Sequence, residues 1–366
     1  MGPMSGPIDV LGLTADEFAA AARFALPSAA GIAHDVYRGL FRTGRLDFSA
    51  WPLTAASTAA WQAAFRAHLM EVARVVDEDG PVGLTANAIL RTQDGYEIEC
   101  VRIPMRVGGE RESHTLCLSS QVGCRMGCTF CETGRMGLIR QLSAGEIVAQ
   151  VLTAWTTLGW SPRNLVFMGM GEALDNADNV VQALRVLTDQ RALHYSHERI
   201  TICTSGHADG ITKLAALGWK RLNLSLSLNA ADDARRSSIM PVNRRTPLAE
   251  LQRILAAYPQ RRNFTLGVNW CLMPGINDSR EDAARVAGFC RPLGRVLINL
   301  IPYNPGNAPL TRAPDEAEIE RFVGWLREDG LPVRRRITKG RSIMAACGQL
   351  GNVELRKRRA ALRTPV

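Results

Sequence analysis

The pattern of apolar and polar positions along the chain changes its period near residue 113. Before that point it is mainly helical. LTADEFAAAARF (13–24) opens with Thr14 and carries Glu17 three residues on, the spacing of a capping box. WQAAFRAHLMEVARVV (61–76) repeats its apolar residues at helical intervals, so helix is expected to run through residues 13–75. ANAILRTQDGYEIECVRIP (86–104) then reads as a strand pair folded about an Asp94-Gly95 turn. From residue 113 short apolar runs alternate with helical ones. The runs are TLCLSS (115–120), NLVFMGM (164–170), RITICTS (199–205), RLNLSLSL (221–228), FTLGVNWCLM (264–273) and VLINLIPY (296–303). Helical patterns separate or follow them at 143–158, 176–189, 209–217, 247–258, 279–290 and 314–329. Six strand–helix units predict an α/β fold with parallel strands. They are too few for a closed eight-fold barrel, so an open or partial barrel is expected, with functional residues at the C-terminal ends of its strands.

Composition adds bounds. Hydrophobic residues make up 46% of the 366 residues, enough for a globular core. No apolar run approaches the ~18 residues of a membrane span, and the first thirty residues lack a basic stretch followed by an apolar one. A cytoplasmic protein without a membrane partner is expected. The net charge is +9, and its placement matters more than its size. Residues 331–366 hold ten Lys/Arg and one acid, Glu354, so the remainder is balanced at 34 against 34. A basic end on a neutral body is the footprint of a polyanion partner.

Nine cysteines in a reducing compartment are not a disulfide framework. Three of them, Cys124, Cys128 and Cys131, stand in GCRMGCTFC at the spacing CxxxCxxC, with Phe130 before the last. They follow the first barrel strand and precede the helix at 143, which puts them in a loop on the active face. Zinc would require a fourth ligand, and His114 lies upstream of the strand. Thiolates also hold iron–sulfur clusters, where three of them leave one iron open.

Around this triplet, LCLSSQVGCRMGCTFCETGRMGLIRQLSAGEIVAQV, MGMGEAL, MPVNRR, NLIPYNP and AACGQL together resemble the RlmN/Cfr family of radical S-adenosylmethionine (SAM) RNA adenosine methyltransferases. The resemblance runs from about residue 10 to 360. It implies a partial (β/α)6 radical-SAM barrel with a small helical N-terminal domain. The divisions would be 1–105 for that domain and its strand pair, 106–345 for the barrel, and 346–366 for a C-terminal segment with a basic tail. It implies a [4Fe–4S] cluster on Cys124, Cys128 and Cys131 whose open iron binds SAM, and an external electron donor such as flavodoxin or ferredoxin. The implied partner is RNA, 23S ribosomal RNA and also transfer RNA, methylated at an adenine ring carbon, C2 ahead of C8. Such a carbon is not nucleophilic, hence the radical.

The resemblance also assigns residues. Cys347, in AACGQL, is the methyl-carrying cysteine; Cys117, on the first strand, is the resolving thiol that frees product by disulfide formation. Glu99, in YEIECVRIP, is the acceptor of the ring proton. Gly169, Gly171 and Glu172 follow the second strand, Ser227 and Asn229 end the fourth, and Asn304 follows the sixth; all match SAM-contact positions. The bland alternatives are a packing cysteine, an exposed strand glutamate and ordinary turn residues. Four departures from the family pattern stand out. Cys203 replaces a SAM-contacting serine, Asn229 a histidine and Ala173 a proline. TKGRSIM (338–344) replaces an arginine–glycine run with an acidic pair. Two other functions stay open here: a radical-SAM enzyme acting on a peptide or small molecule, and a zinc-binding RNA module.

Overall fold

The computed structural model describes residues 6–26, 31–48, 51, 53–106, 112–259 and 261–351. The basic tail from residue 352 on lies outside them. The chain opens with β1 (Ile8–Asp9), α1 (Ala15–Ala25), α2 (Ala33–Thr43), α3 (Ala55–Ala64) and β2 (Phe65–Arg66). Thr14 and Glu17 form the expected capping box on α1. Phe18, Tyr37, Trp61 and Phe65 close a buried aromatic cluster, with Phe18 and Phe65 edge to face at 4.9 Å. That geometry suits the ring quadrupoles.

Among the described residues, ten strands form one sheet. They are β3 (Glu71–Glu78), β4 (Thr85–Arg91), β5 (Glu97–Arg106), β6 (Glu112–Cys117), β9 (Asn164–Phe167), β10 (Ile200–Thr204), β11 (Asn223–Ser227), β12 (Leu266–Leu272), β13 (Val296–Pro302) and β14 (Val333–Arg335). A separate short pair joins β7 (Gln121–Val122) to β8 (Arg140–Gln141). Between and after the strands lie α4 (Glu132–Met136), α5 (Ala144–Thr156), α6 (Ala177–Thr188), α7 (Ala208–Ala216), α8 (Asp233–Ile239), α9 (Leu248–Ala256), α10 (Arg280–Cys290) and α11 (Glu316–Glu328). β6 and β9 to β14 pair in parallel in chain order, whereas β3 to β6 pair antiparallel. The parallel run curves around a lumen. Thr115, Val166, Cys203, Ser225, Gly267, Asn299 and Arg334, from seven successive strands, line one cavity of about 580 Å³. This is the expected partial barrel, and the strand pair of residues 86–104 extends its sheet.

One expected helix is overturned. α3 stops at Ala64, and residues 71–78 are the edge strand β3. Val72, Val75 and Val76 repeat at helical spacing because the register slips between Val72 and Arg74, a bulge that breaks two-residue alternation. The N-terminal helices do not stand apart from the barrel. Val10, Leu11 and Phe18 share one continuous core with Ile147 and Leu184 of α5 and α6. Ala15 N–H donates to Asp189 Oδ2 at 2.8 Å, and Gln182 Nε2 to the Gly12 carbonyl at 3.0 Å.

Candidate active site

The three clustered cysteines enter from the loop after β7. Cys131 sits at the head of α4, where the N–H groups of Gly134 and Thr133 and the Thr133 hydroxyl face its sulfur. The loop is tightly folded, since a Cβ on Gly134 would lie 2.9 Å from the Cys128 backbone. Cys124, Cys128 and Cys131 line a second cavity, about 160 Å³, at the C-terminal mouth of the barrel. Burial pushes all three thiols up, and Cys124 and Cys128 are pushed further by their neighbouring cysteines. Such crowded thiols ionise only if positive charge arrives among them. No three His, Cys, Asp or Glu among the described residues close around a point that one metal ion would occupy. Three thiols of one loop lining one cavity are a donor set of the kind that holds an iron–sulfur cluster.

Gly171, Glu172, Ser227, Asn229 and Cys347 line the same cavity. The Glu172 carboxylate is buried and accepts from Leu174 N–H at 3.2 Å, Ser205 N–H at 2.7 Å and Ser205 Oγ at 2.8 Å. It is therefore held rigidly on the wall. The glycines before it are also close-packed. A Cβ on Gly169 would meet the Leu118 carbonyl at 2.6 Å, and one on Gly171 the Gln121 side chain at 2.6 Å. Asn229 adopts a left-handed conformation, φ 56°, which asparagine tolerates well. Its Oδ1 accepts from Cys271 N–H at 2.8 Å and its Nδ2 faces Met240 Sδ at 3.4 Å, so its amide braces the wall. Ala173 opens a short 3₁₀ turn where proline would also fit, so that departure leaves the backbone unchanged.

Asn304 lines the lumen rather than the upper cavity. Its Nδ2 donates to the Cys347 carbonyl at 3.3 Å, and its Oδ1 accepts from Arg341 Nε and Nη2 at 3.1 and 3.0 Å. Cys347 itself is surrounded by protein yet solvent-accessible, because it faces both cavities. Burial raises its thiol, and Arg336 pulls against that rise. Cys117 is buried on β6 and lines neither cavity, although Cys347 is the titratable neighbour that acts on it most. Glu99 is buried on β5 against the segment that follows Cys347. Its Oε1 accepts from Gly351 N–H at 2.7 Å and its Oε2 from Asn87 Nδ2 at 2.6 Å.

Sequence inspection missed Arg236. It is fully buried behind the cysteine loop, bonding the Leu228 and Ser205 carbonyls at 3.0 and 2.6 Å and Asn243 Oδ1 at 2.9 Å. Burial draws it down to about 10, so it remains a cation at neutral pH. Its neighbours Arg235, Asp233 and Asp232 make it indistinguishable by sequence from a surface charge. The described part of the basic end is also more occupied than its charge suggests. Arg335 pairs with Glu316 and Glu320, Lys339 bonds the Pro104 carbonyl and Arg341 bonds Asn304.

A curved parallel sheet with a CxxxCxxC loop at its C-terminal mouth defines a radical-SAM enzyme. Residues 118–287 match the model of the Radical SAM superfamily. A probable dual-specificity RNA methyltransferase RlmN 1 from Protochlamydia amoebophila is 44% identical over 76% of each chain. The dual-specificity RNA methyltransferase RlmN of Rhodospirillum rubrum is 38% identical over 96% of this chain and 82% of its own. The crystal structure of a radical SAM methyltransferase from Sphaerobacter thermophilus superimposes with a TM-score of 0.83. It is 34% identical and covers 94% of this chain and 99% of that one. The chain belongs to the RlmN/Cfr family of radical-SAM RNA methyltransferases. It is thus a SAM-dependent RNA methyltransferase, which displaces both alternative functions. No helix among the described residues is long and apolar enough to cross a membrane.

Proposed function

We propose that the enzyme methylates an adenine ring carbon, C2 rather than C8, in 23S ribosomal RNA and in transfer RNA. The relatives' name, dual-specificity RNA methyltransferase, supports two RNA classes. Cys124, Cys128 and Cys131 would hold a [4Fe–4S] cluster, fed with electrons by a flavodoxin or ferredoxin. When bound, the cluster and SAM supply a methyl group and the organic radical that activates it. The chain's own residues do the rest. Cys347 carries the methyl group as a thioether, a soft and polarisable carrier. Glu172, fixed by Ser205, would hold the ammonium of SAM as a charge-assisted acceptor. Gly171, Ser227 and Asn229 shape the cavity wall around it, and Asn304 holds the Cys347 loop. Glu99 takes the ring proton, and Cys117 resolves the protein–RNA thioether.

One observation carries this reading: Cys347, far from the triplet in sequence, presents an accessible thiol in the cavity that Cys124, Cys128 and Cys131 line. The test compares ribosomal and transfer RNA, by nucleoside mass spectrometry, from cells making the parent or Cys347→Ala. The variant is expected to abolish 2-methyladenosine in both RNAs. Unchanged 2-methyladenosine in Cys347→Ala cells would remove the carrier role, and its appearance as 8-methyladenosine would correct the position.

A further inference from the structure

Cys347 is not faced by Cys117 alone. Cys203, on β10, lies in its electrostatic reach as well. The sheet register relates the two partners. Cys117 on β6 pairs with Val166 on β9, and Val166 with Thr201 on β10. Cys203 therefore stands two residues, about 7 Å, nearer the C-terminal mouth than Cys117. The consequence is visible in the cavities. Cys203 and Cys347 line both of them together, whereas Cys117 lines neither.

We propose that Cys203 is a second resolving thiol, able to release methylated RNA from Cys347 by forming a Cys203–Cys347 disulfide. The inference rests on the carrier role of Cys347 proposed above. In the step, the Cys203 sulfur attacks the Cys347 sulfur of the protein–RNA thioether. An S–S bond forms and the S–C bond to the transferred carbon breaks. The electron pair leaves with the carbon, which takes up the proton that Cys203 gives up and becomes the methyl group. The two sulfurs are oxidised and the carbon is reduced, so no outside oxidant enters. A dithiol reductant then returns both cysteines to thiols for the next cycle. Burial pushes the Cys203 thiol up to about 12 and Arg336 pulls against that rise, so its proton has to leave as the sulfur attacks.

The experiment uses full-length, cluster-loaded enzyme with an RNA substrate under anaerobic conditions. Covalent RNA–protein adduct and non-reducing peptide maps are read for the parent, Cys117→Ala, Cys203→Ser and the double variant. Cys117→Ala is expected to release RNA and to show a Cys203–Cys347 disulfide. The double variant is expected to convert the enzyme to trapped adduct on Cys347. Complete trapping by Cys117→Ala alone, with no Cys203–Cys347 peptide, would overturn the role of Cys203 while leaving the carrier role of Cys347 intact. Absence of any Cys347 adduct and of any disulfide to Cys347, Cys271–Cys347 included, in the double variant would overturn the carrier role itself, and this inference with it.

Discussion

Glu99 shows how much a single side chain's surroundings decide. Its register neighbour is Ile89, it is buried, and its only described side-chain partners are Asn87 and the Gly351 N–H. Burial lifts the carboxyl above the ordinary carboxylate range, and the two hydrogen bonds pull it only partly back. The folded state therefore keeps the proton to a higher pH than the unfolded state does. Stability contributed at this site falls as pH rises from the ordinary carboxylate value through the folded one. Asn87 adds a local cause: its Oδ1 is buried without a hydrogen-bond partner, and a protonated Glu99 or a glutamine would satisfy it once the amide turns. Glu99→Gln is thus expected to abolish methylation yet to raise the melting temperature above that pH window, with no difference below it. Melting temperatures of both proteins across pH check this, and parallel pH profiles would contradict it.

At the scale of elements, most of the barrel was legible because its strands are short apolar runs between amphipathic helices; the runs match β10 to β13 closely, whereas the first lies three residues late on β6 and the second overruns β9 by three. What was not legible follows from competing signals. β3 hid behind a bulge, β14 behind Arg334 and Arg335, and α8 behind its run of charges. In the site, motif residues were readable by type and order, but their duties were not. Gly169 read as a SAM-contact position; the structure adds that its missing Cβ makes room for the Leu118 backbone, to which its own N–H donates at 3.0 Å. Gly169→Ala should therefore separate β6 from the loop after β9 and lower stability by roughly 1–3 kcal/mol. Gly324, in the interior of α11, has open space where its Cβ would be. Gly324→Ala should instead raise stability by about 0.5–1 kcal/mol. Chemical denaturation of the two variants measures the contrast, and equal effects would refute the packing role of Gly169.

At the scale of the whole molecule, the last described segment folds back onto the antiparallel strands that precede the barrel. The segment carrying Cys347 is tied to β3 by Glu78, to β5 by Glu99, to α4 by Glu132 N–H donating to the Gly348 carbonyl, and to the end of β13 by Asn304. Glu78 is the tie furthest from the chemistry. Its carboxylate accepts from Gly340 N–H at 2.8 Å, from Ser342 N–H at 2.8 Å and from the Ser342 hydroxyl. The edge strand thus does more than enlarge the sheet: it presents one acceptor to three donors of the Cys347 segment. The Ser342 hydroxyl bond, with help from the backbone amides, holds Glu78 below the ordinary carboxylate range. A lowered carboxyl stabilises fully above its unfolded value, and the stabilisation is lost as pH falls through the folded value. Glu78→Ala is expected to reduce the opening free energy of residues 340–348 by about 1–2 kcal/mol at neutral pH, and to slow methylation without touching a group in either cavity. Amide hydrogen exchange, corrected for intrinsic rates, reads that loss locally while protection of β11 to β13 stays constant. On acidification through the carboxylate range the parent's protection should fall to meet that of Glu78→Ala. Equal protection of residues 340–348 in the two proteins at neutral pH would place the clamp elsewhere in the segment.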